Sequence, residues 1–133
     1  MITIHYLKDT VFRDIRWGIT DALYAGKSAD MTPVERAYAK GWYIPVARVE
    51  SDDLEKAWKM MQNGVVTESW TLAPPDGVTP LVQPFRHAGD NSSYGWRSAS
   101  IGDIFELSDG RRFVCAMVGF VEIPHENAPV HID

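Results

Sequence analysis

The segment from residue 97 to 123, RSASIGDIFELSDGRRFVCAMVGFVEI, constrains the fold more than any other part of the chain. It contains two apolar runs joined by Ser108-Asp109-Gly110, which suits a tight turn because Asp and Gly tolerate positive φ angles. In the second run, both alternating faces are apolar. A strand with two apolar faces is covered on both sides, so this pattern predicts a hairpin whose second strand lies at the centre of a sheet.

Other segments predict further strands and several helices. Residues 2–6 alternate apolar and polar side chains, as a half-buried strand does. Residues 42–49 read as a second strand, in which Pro45 indicates an edge or a bulge because it cannot donate to a ladder. Residues 65–72 are a further short candidate. Helical periodicity begins at the three positions Thr10, Thr32 and Asp52, and the last two begin capping-box patterns.

We therefore expect one α+β domain over residues 1–133, with a mainly antiparallel sheet and two or three helices packed on it. Residues 73–97 contain four prolines and a Gly-Asp-Asn-Ser-Ser cluster, and they predict a long irregular loop. Loops of this length tend to be functional or disordered. Residues 125–133 are polar and predict a frayed tail.

Composition excludes several classes of protein. The 133-residue chain is 45% hydrophobic and 23% charged, which is the balance of a folded domain. A formal net charge of -5 argues against a general polyanion binder. No apolar run approaches the roughly 20 residues that span a bilayer, and no leader of secretory type is visible. With Cys115 as the single cysteine, we expect a cytoplasmic protein without a membrane partner.

The chain offers no convincing catalytic or metal-binding motif. Cys115 lies in the doubly apolar run, where a thiol is normally buried and inert. Asp103 follows a glycine at a predicted turn, where its side chain would bond to local backbone groups. The four histidines lack the spacing of zinc ligands, and they are His5, His87, His125 and His131. We therefore expect no catalytic residue, no metal and no cofactor.

Aromatic residues flank the predicted loop and are the best candidates for recognition. Trp70 and Trp96 lie on either side of it, with Tyr94 and Arg97 beside the second tryptophan. Amphipathic aromatics of this kind are common at binding surfaces, although they can also cover the sheet as core. The exposed acidic helix start at Asp52 and Asp53 is a second candidate surface. A third observation is that Trp17 does not fall on the apolar stripe of the first helix.

Two alternative functions stay open. An aromatic and basic face could bind single-stranded nucleic acid, and its candidate residues are Arg86, Arg97, Arg111 and Arg112. Distant residues could also converge into an enzyme site, with His5, His87 and Asp103 as the candidates.

The hairpin resembles small accessory proteins of plasmids, phages and other mobile elements with YodL-like domains. The shared pattern is R-S-x-S-x-G-D, a short strand, a glycine turn, and a strand ending in G-F-x-E-I. In this chain it comprises Arg97, Ser98, Ser100, Gly102, Asp103, Gly110, Gly119, Phe120, Glu122 and Ile123. The helix start at 52–55 with Trp58, and the later Trp70, are similar too. The resemblance covers residues 42–123.

This resemblance implies a biological context and no catalytic residue. Small proteins of mobile elements often bind and block host machinery. The sequence thus leads to the expectation of a non-enzymatic, protein-binding accessory factor of the counter-defence type, whose partner is a host protein or protein complex.

Overall fold

The structure of the chain is a computed structural model, and it describes residues 1–24, 31–64, 69–87 and 93–124. Within these ranges, six side chains lie outside the description, namely those of Arg13, Tyr24, Arg86, His87, Ser93 and Tyr94. The predicted tail at 125–133, with His125 and His131, is outside it as well.

Three helices and eight strands make up the described part of the chain. The helices are α1 (Asp9–Tyr24), α2 (Thr32–Ala39) and α3 (Leu54–Met60). The strands are β1 (Ile2–Leu7), β2 (Tyr43–Val49), β3 (Val78–Pro80), β4 (Arg86–His87), β5 (Ser93–Tyr94), β6 (Ile104–Leu107), β7 (Arg112–Cys115) and β8 (Phe120–Glu122). None of the helices in these ranges has the length and apolar character needed to span a bilayer.

The main sheet has six strands in the order β3-β2-β1-β6-β7-β8, and every pairing in it is antiparallel. The predicted α+β fold with a mainly antiparallel sheet is therefore confirmed. Its central strands are β1 and β6. The prediction that the second apolar run is one central strand is wrong, because that run turns at Met117 and Val118 and forms both β7 and the end strand β8.

The proline in β2 marks a bulge, as its sequence position predicts. Ile4 pairs with Ala47 and His5 pairs with Pro45, so Val46 is the extra residue of β2 at this point. The bulge leaves Val46 free to accept a hydrogen bond from the Leu81 amide on the other side of the strand, at 2.8 Å. The strand therefore keeps its place between β1 and β3 although Pro45 has no N–H to donate.

Both faces of the sheet are covered. On one face, the side chains of Ile4, Tyr6 and Phe105 pack with α3 and with the segments around Trp70 and Trp96. On the other face, side chains of β1, β2, β6 and β7 pack against α1 and α2, and this second core contains Leu7, Ile19, Leu23, Val34, Ala37, Tyr43, Ile104 and Val114. The domain is thus a sheet between two apolar layers.

Helix starts differ from the predicted ones by one residue. The N-cap of α3 is Asp53, whose carboxylate accepts a hydrogen bond from the Lys56 amide at 3.1 Å, where the sequence suggested Asp52. Helix α2 begins at Thr32 with Met31 at the N-cap, so Thr32 is not the cap. At α3 either aspartate satisfies the local pattern, because both carry a side chain that favours a helix start, whereas Met31 makes no side-chain cap bond to α2.

In the segment 73–97, the described residues 73–87 and 93–97 contain more regular structure than the composition predicts. It contains β3 and the short β4–β5 ladder, in which Arg86 pairs with Tyr94 and His87 with Ser93. The predicted strand at 65–72 is wrong over Trp70–Leu72, which form a turn, and its residues 65–68 lie outside the described part.

Candidate functional site

Three of the six residues predicted to recognise a partner converge, but at the core, and they are Trp70, Trp96 and Arg97. Trp70 is 1% exposed and Trp96 is 9% exposed, so both rings pack as core, which is the alternative that the sequence left open. The Arg97 carbonyl oxygen accepts hydrogen bonds from Trp70 Nε1 at 2.8 Å and from the Tyr6 hydroxyl at 3.0 Å. Trp96 Nε1 donates to the Gln83 carbonyl at 2.7 Å. These bonds fix the loop to the sheet.

Arg97 is the centre of this buried cluster. Its guanidinium lies 3.9 Å from the centroid of the Tyr6 ring and 4.5 Å from that of Phe12, which allows cation–π contact with both. The same guanidinium donates two hydrogen bonds to Asp103, at 2.7 and 2.8 Å. Burial acts to lower the pKa of Arg97, but the hydrogen bond and charge of Asp103 outweigh burial and raise it. Arg97 therefore stays a cation.

Asp103 has a structural role, as its position after Gly102 predicts. Its carboxylate is 1% exposed and also accepts the Ser100 amide at 2.7 Å. Burial raises the pKa of the carboxyl, against the opposing effect of Arg97. The two Arg97 bonds and the Ser100 amide bond all donate to oxygens of Asp103. This geometry is that of an ionised carboxylate held by a cation.

Two other ionisable groups near this cluster are held in their neutral forms. Burial, with a further contribution from Asp103, raises the pKa of the Cys115 thiol to about 12. Burial also raises the pKa of the Tyr43 phenol, whose hydroxyl donates to the Gly102 carbonyl at 2.6 Å. A thiol with so high a pKa is a poor nucleophile at neutral pH.

The candidate arginines of the nucleic-acid alternative have separate partners within the protein. Arg97 pairs with Asp103 as described, and Arg111 pairs with Asp109 at 2.9 Å. Arg112 donates to the Tyr38 hydroxyl at 2.7 Å and lies over its ring at 4.5 Å. The Arg86 and Tyr94 side chains lie outside the described ones. Each of the described arginines thus contacts a group of the protein itself.

The candidate acid–base residues also have separate partners. His5 Nε2 lies 2.9 Å from Glu106 Oε1, whereas Asp103 contacts Arg97, and the His87 side chain is not described. Within the described ranges, no three His, Cys, Asp or Glu side chains cluster as metal ligands would.

Two of the large apolar side chains that are exposed, those of Trp17 and Met117, line grooves beside the loop residues Ser100 and Ile101. On one side of this loop is a groove of about 360 Å³, here called the α3 groove, which also contacts Glu55, Trp58, Ala99, Cys115, Ala116, Met117, Gly119 and Phe120. On the other side is a groove of about 230 Å³, the α1 groove, formed with Phe12, Arg16, Trp17 and Thr20. Because both grooves include Ser100 and Ile101, they form one continuous surface.

Large side chains remain exposed at the rims of these grooves. Trp17 in α1 is 61% exposed, and Arg16 lies 4.4 Å from the centroid of its ring. Met117, in the β7–β8 turn, is 53% exposed. The sequence carries a signal for each: Trp17 is off the apolar stripe of its helix, and Gly119, with φ of 73°, marks the turn that exposes Met117.

The predicted acidic surface is divided between different places. Asp52 is exposed, lies 2.6 Å from the Met1 nitrogen and lines another groove with Leu107 and Asp109, whereas Asp53 caps α3. Of the acidic residues at this helix start, Glu55 lines the α3 groove.

Compared with protein-family models, with curated proteins and with solved structures, the chain gives no significant match.

Proposed function

We propose that this protein is a non-catalytic protein-binding module whose docking surface comprises the α1 and α3 grooves. The observation that carries the proposal is that the two grooves adjoin at Ser100 and Ile101, with the large apolar side chains of Trp17 and Met117 exposed at their rims. Contiguous exposed apolar surface marks interaction sites in folded proteins. Trp17 and Met117 replace Trp70 and Trp96, the predicted anchors, because the rings of both predicted anchors are buried and cannot contact a partner.

The chemistry of the surface supports a protein partner over a small polar ligand. Tryptophan, arginine and methionine are enriched in protein interfaces, and tryptophan is frequent among the residues that contribute most to affinity. Methionine is flexible and adapts its shape to different partners. The charged side chains Glu55 and Arg16 lie at the two sides, as polar groups do at the rim of an interface.

The polar core supports a non-catalytic role. Its ionisable groups form a closed set of contacts, in which Asp103 is paired with Arg97 and Tyr43 donates to a backbone carbonyl. Cys115 lines the α3 groove as a protonated thiol. These groups hold the loop and the sheet together, so their roles are accounted for without a reaction.

The resemblance of the hairpin to YodL-like accessory domains supplies the biological context. On that basis the partner is a host protein or protein complex, and binding would inhibit or regulate it as a mobile-element counter-defence factor does. This context rests on the resemblance alone, which covers residues 42–123.

The test is a selection of random 12-residue peptides displayed on phage against the purified chain, followed by affinity measurements on the best peptide. We expect Trp17→Ala or Met117→Glu to weaken binding by about tenfold or more. Val118→Glu is the matched control, because Val118 is 90% exposed in the same turn but lines neither groove. A selection without any binder, or binding that neither variant weakens, would overturn the proposal.

A further inference from the structure

The end strand β8 directs hydrogen-bonding groups away from the main sheet, beside the α3 groove. The Ile123 amide donates to the Arg112 carbonyl at 2.8 Å, and the Ala116 amide donates to the Gly119 carbonyl at 3.0 Å. In an antiparallel ladder such pairs alternate, so between these two only Val121 directs its N–H and C=O toward β7. The N–H and C=O groups of Phe120 and Glu122 therefore point away from the sheet.

No strand of the described chain pairs with this side of β8. Open edges are sites where an extended segment of another chain can add to a sheet, and native proteins usually shorten or charge such edges. Here the edge is short and carries Glu122. It nevertheless offers two donors and two acceptors, spaced as in a regular antiparallel ladder.

The α3 groove lies on one face of the same edge. Phe120 lines the groove, and Glu122, two residues later, projects from that same face. A strand added to β8 would place alternate side chains on this face, and the one opposite Phe120 would project toward the groove, which Trp58 and Met117 also line. A helix lying in the groove would leave the outward N–H and C=O groups of β8 unpaired. An extended segment can pair with these groups and also place a side chain in the groove.

Charge further restricts the occupant. Glu55 and Glu122 are exposed, and they lie at the groove and beyond Phe120 respectively. Opposite charges on directly paired positions stabilise antiparallel strands, and like charges destabilise them. A basic side chain opposite Glu122 would therefore complement this face, and a second one on the other side of the apolar residue would be attracted to Glu55 on α3.

Resting on the proposed function, we infer that the partner binds as an extended segment that adds antiparallel to β8. Its apolar side chain occupies the α3 groove, and lysine or arginine two residues away on either side pairs with Glu55 and Glu122. Backbone hydrogen bonds give affinity, and the groove with its two carboxylates gives specificity.

The test uses the synthetic peptide acetyl-Thr-Lys-Val-Leu-Val-Lys-Thr-amide, in which leucine and both lysines share one face. In the inferred register the leucine N–H points toward the Phe120 carbonyl, whereas the valine N–H groups point away from β8. N-methylation of the leucine should weaken binding about tenfold, and N-methylation of the following valine should change it less than about twofold.

Variants of the full chain test the same register. Glu122→Pro removes one outward donor without removing a hydrogen bond to β7, and Glu122→Gln is the control for the lost charge. We expect the proline variant to bind the peptide about tenfold more weakly than the glutamine variant. Circular dichroism of both variants checks that the sheet is retained, and if the proline variant is unfolded, the methylated peptides decide.

Several outcomes would overturn this inference. One is equal binding of the two methylated peptides, and another is no binding of the parent peptide at all. A third is a dimer in light scattering that Glu122→Pro dissociates, since the edge would then belong to a second copy of this chain. If phage-selected peptides still lose affinity on Met117→Glu in any of these cases, the proposed function stands and only the strand addition fails.

Discussion

Arg97 and Asp103 form a two-point ion pair, with Nη1 2.8 Å from Oδ2 and Nη2 2.7 Å from Oδ1, beneath the loop that carries the two grooves. The pair connects the approach to the sheet with the start of β6. Because the Asp103 carboxylate is fully buried, its charged form depends on the Arg97 cation beside it.

Removal of the cation should therefore destabilise the protein strongly. We expect Arg97→Met to lower the free energy of unfolding by about 3–5 kcal/mol, because it leaves a buried carboxylate without its partner. Arg111→Met is the control, since the Arg111–Asp109 pair is exposed and should contribute only about 0–1 kcal/mol. Urea unfolding of the three proteins measures both effects, and equal losses in the two variants would contradict the role of the buried pair.

The tryptophans should divide into two functional groups. Trp70→Ala removes a buried ring and should cost about 3–5 kcal/mol of stability. Trp17→Ala removes an exposed ring and should change stability by less than about 0.5 kcal/mol, while it weakens peptide binding. Denaturant unfolding combined with affinity measurements on the folded variants checks this. A stable Trp70→Ala protein that no longer binds would reverse the assignment.

Alkaline pH should destabilise the fold through Cys115. The ordinary thiol pKa is 9.0, and burial raises it to about 12 in the folded protein, so the unfolded chain loses this proton first. The stabilising contribution is complete below pH 9 and is lost as the pH rises toward 12, at up to about 1.4 kcal/mol per pH unit.

The comparison with Cys115→Ala isolates this contribution from that of other groups such as Tyr43. We expect the free energy of unfolding to fall less steeply between pH 9 and 11 in the variant than in the parent protein. Parallel curves for the two proteins would show that the thiol ionises equally in the folded and unfolded states.

Gly102 should tolerate no side chain. Its φ of 96° is strained for other residues, and a Cβ would lie 2.9 Å from Cγ2 of Ile19 in α1. Gly110 has a similar φ of 92° but no atom within 4 Å of the same position, so Gly110→Ala measures the backbone strain alone.

We expect Gly110→Ala to cost about 1–2 kcal/mol and Gly102→Ala at least about 1 kcal/mol more. Thermal unfolding of both variants gives the difference. In a protein that also carries Ile19→Ala, which removes the contacted Cγ2 atom, the extra cost of Gly102→Ala should be smaller. Equal losses at the two glycines would mean that α1 shifts freely away from the sheet.

The sequence predicts those features whose signals are local. Alternation identified β1, the proline identified the bulge in β2, and Asp109-Gly110 identified the turn between β6 and β7. The division of the second apolar run was missed because the β7–β8 turn has Met117 and Val118 at its centre. Apolar residues there continue the alternation of a single strand, and Gly119 is the sole interruption.

The candidate site could be predicted only in part. The sequence shows Trp70 and Trp96 as neighbours of a loop, but their burial depends on contacts across 27 residues, such as the hydrogen bond from Trp70 Nε1 to the Arg97 carbonyl. The grooves join α1, α3 and the β7–β8 turn, which are distant in sequence. No local pattern can indicate that these three elements meet.

The central place of β1 has a consequence for how the chain acquires its structure. Residues 2–7 pair on one side with β2 and on the other with β6, whose last residue is Leu107. During synthesis, β1 can pair with β2 early, but its other side has no partner until β6, which ends at Leu107, has left the ribosome. The sheet therefore assembles late and through contacts between distant residues. This predicts slow folding, with a period in which the apolar strand β1 is not yet paired with β6.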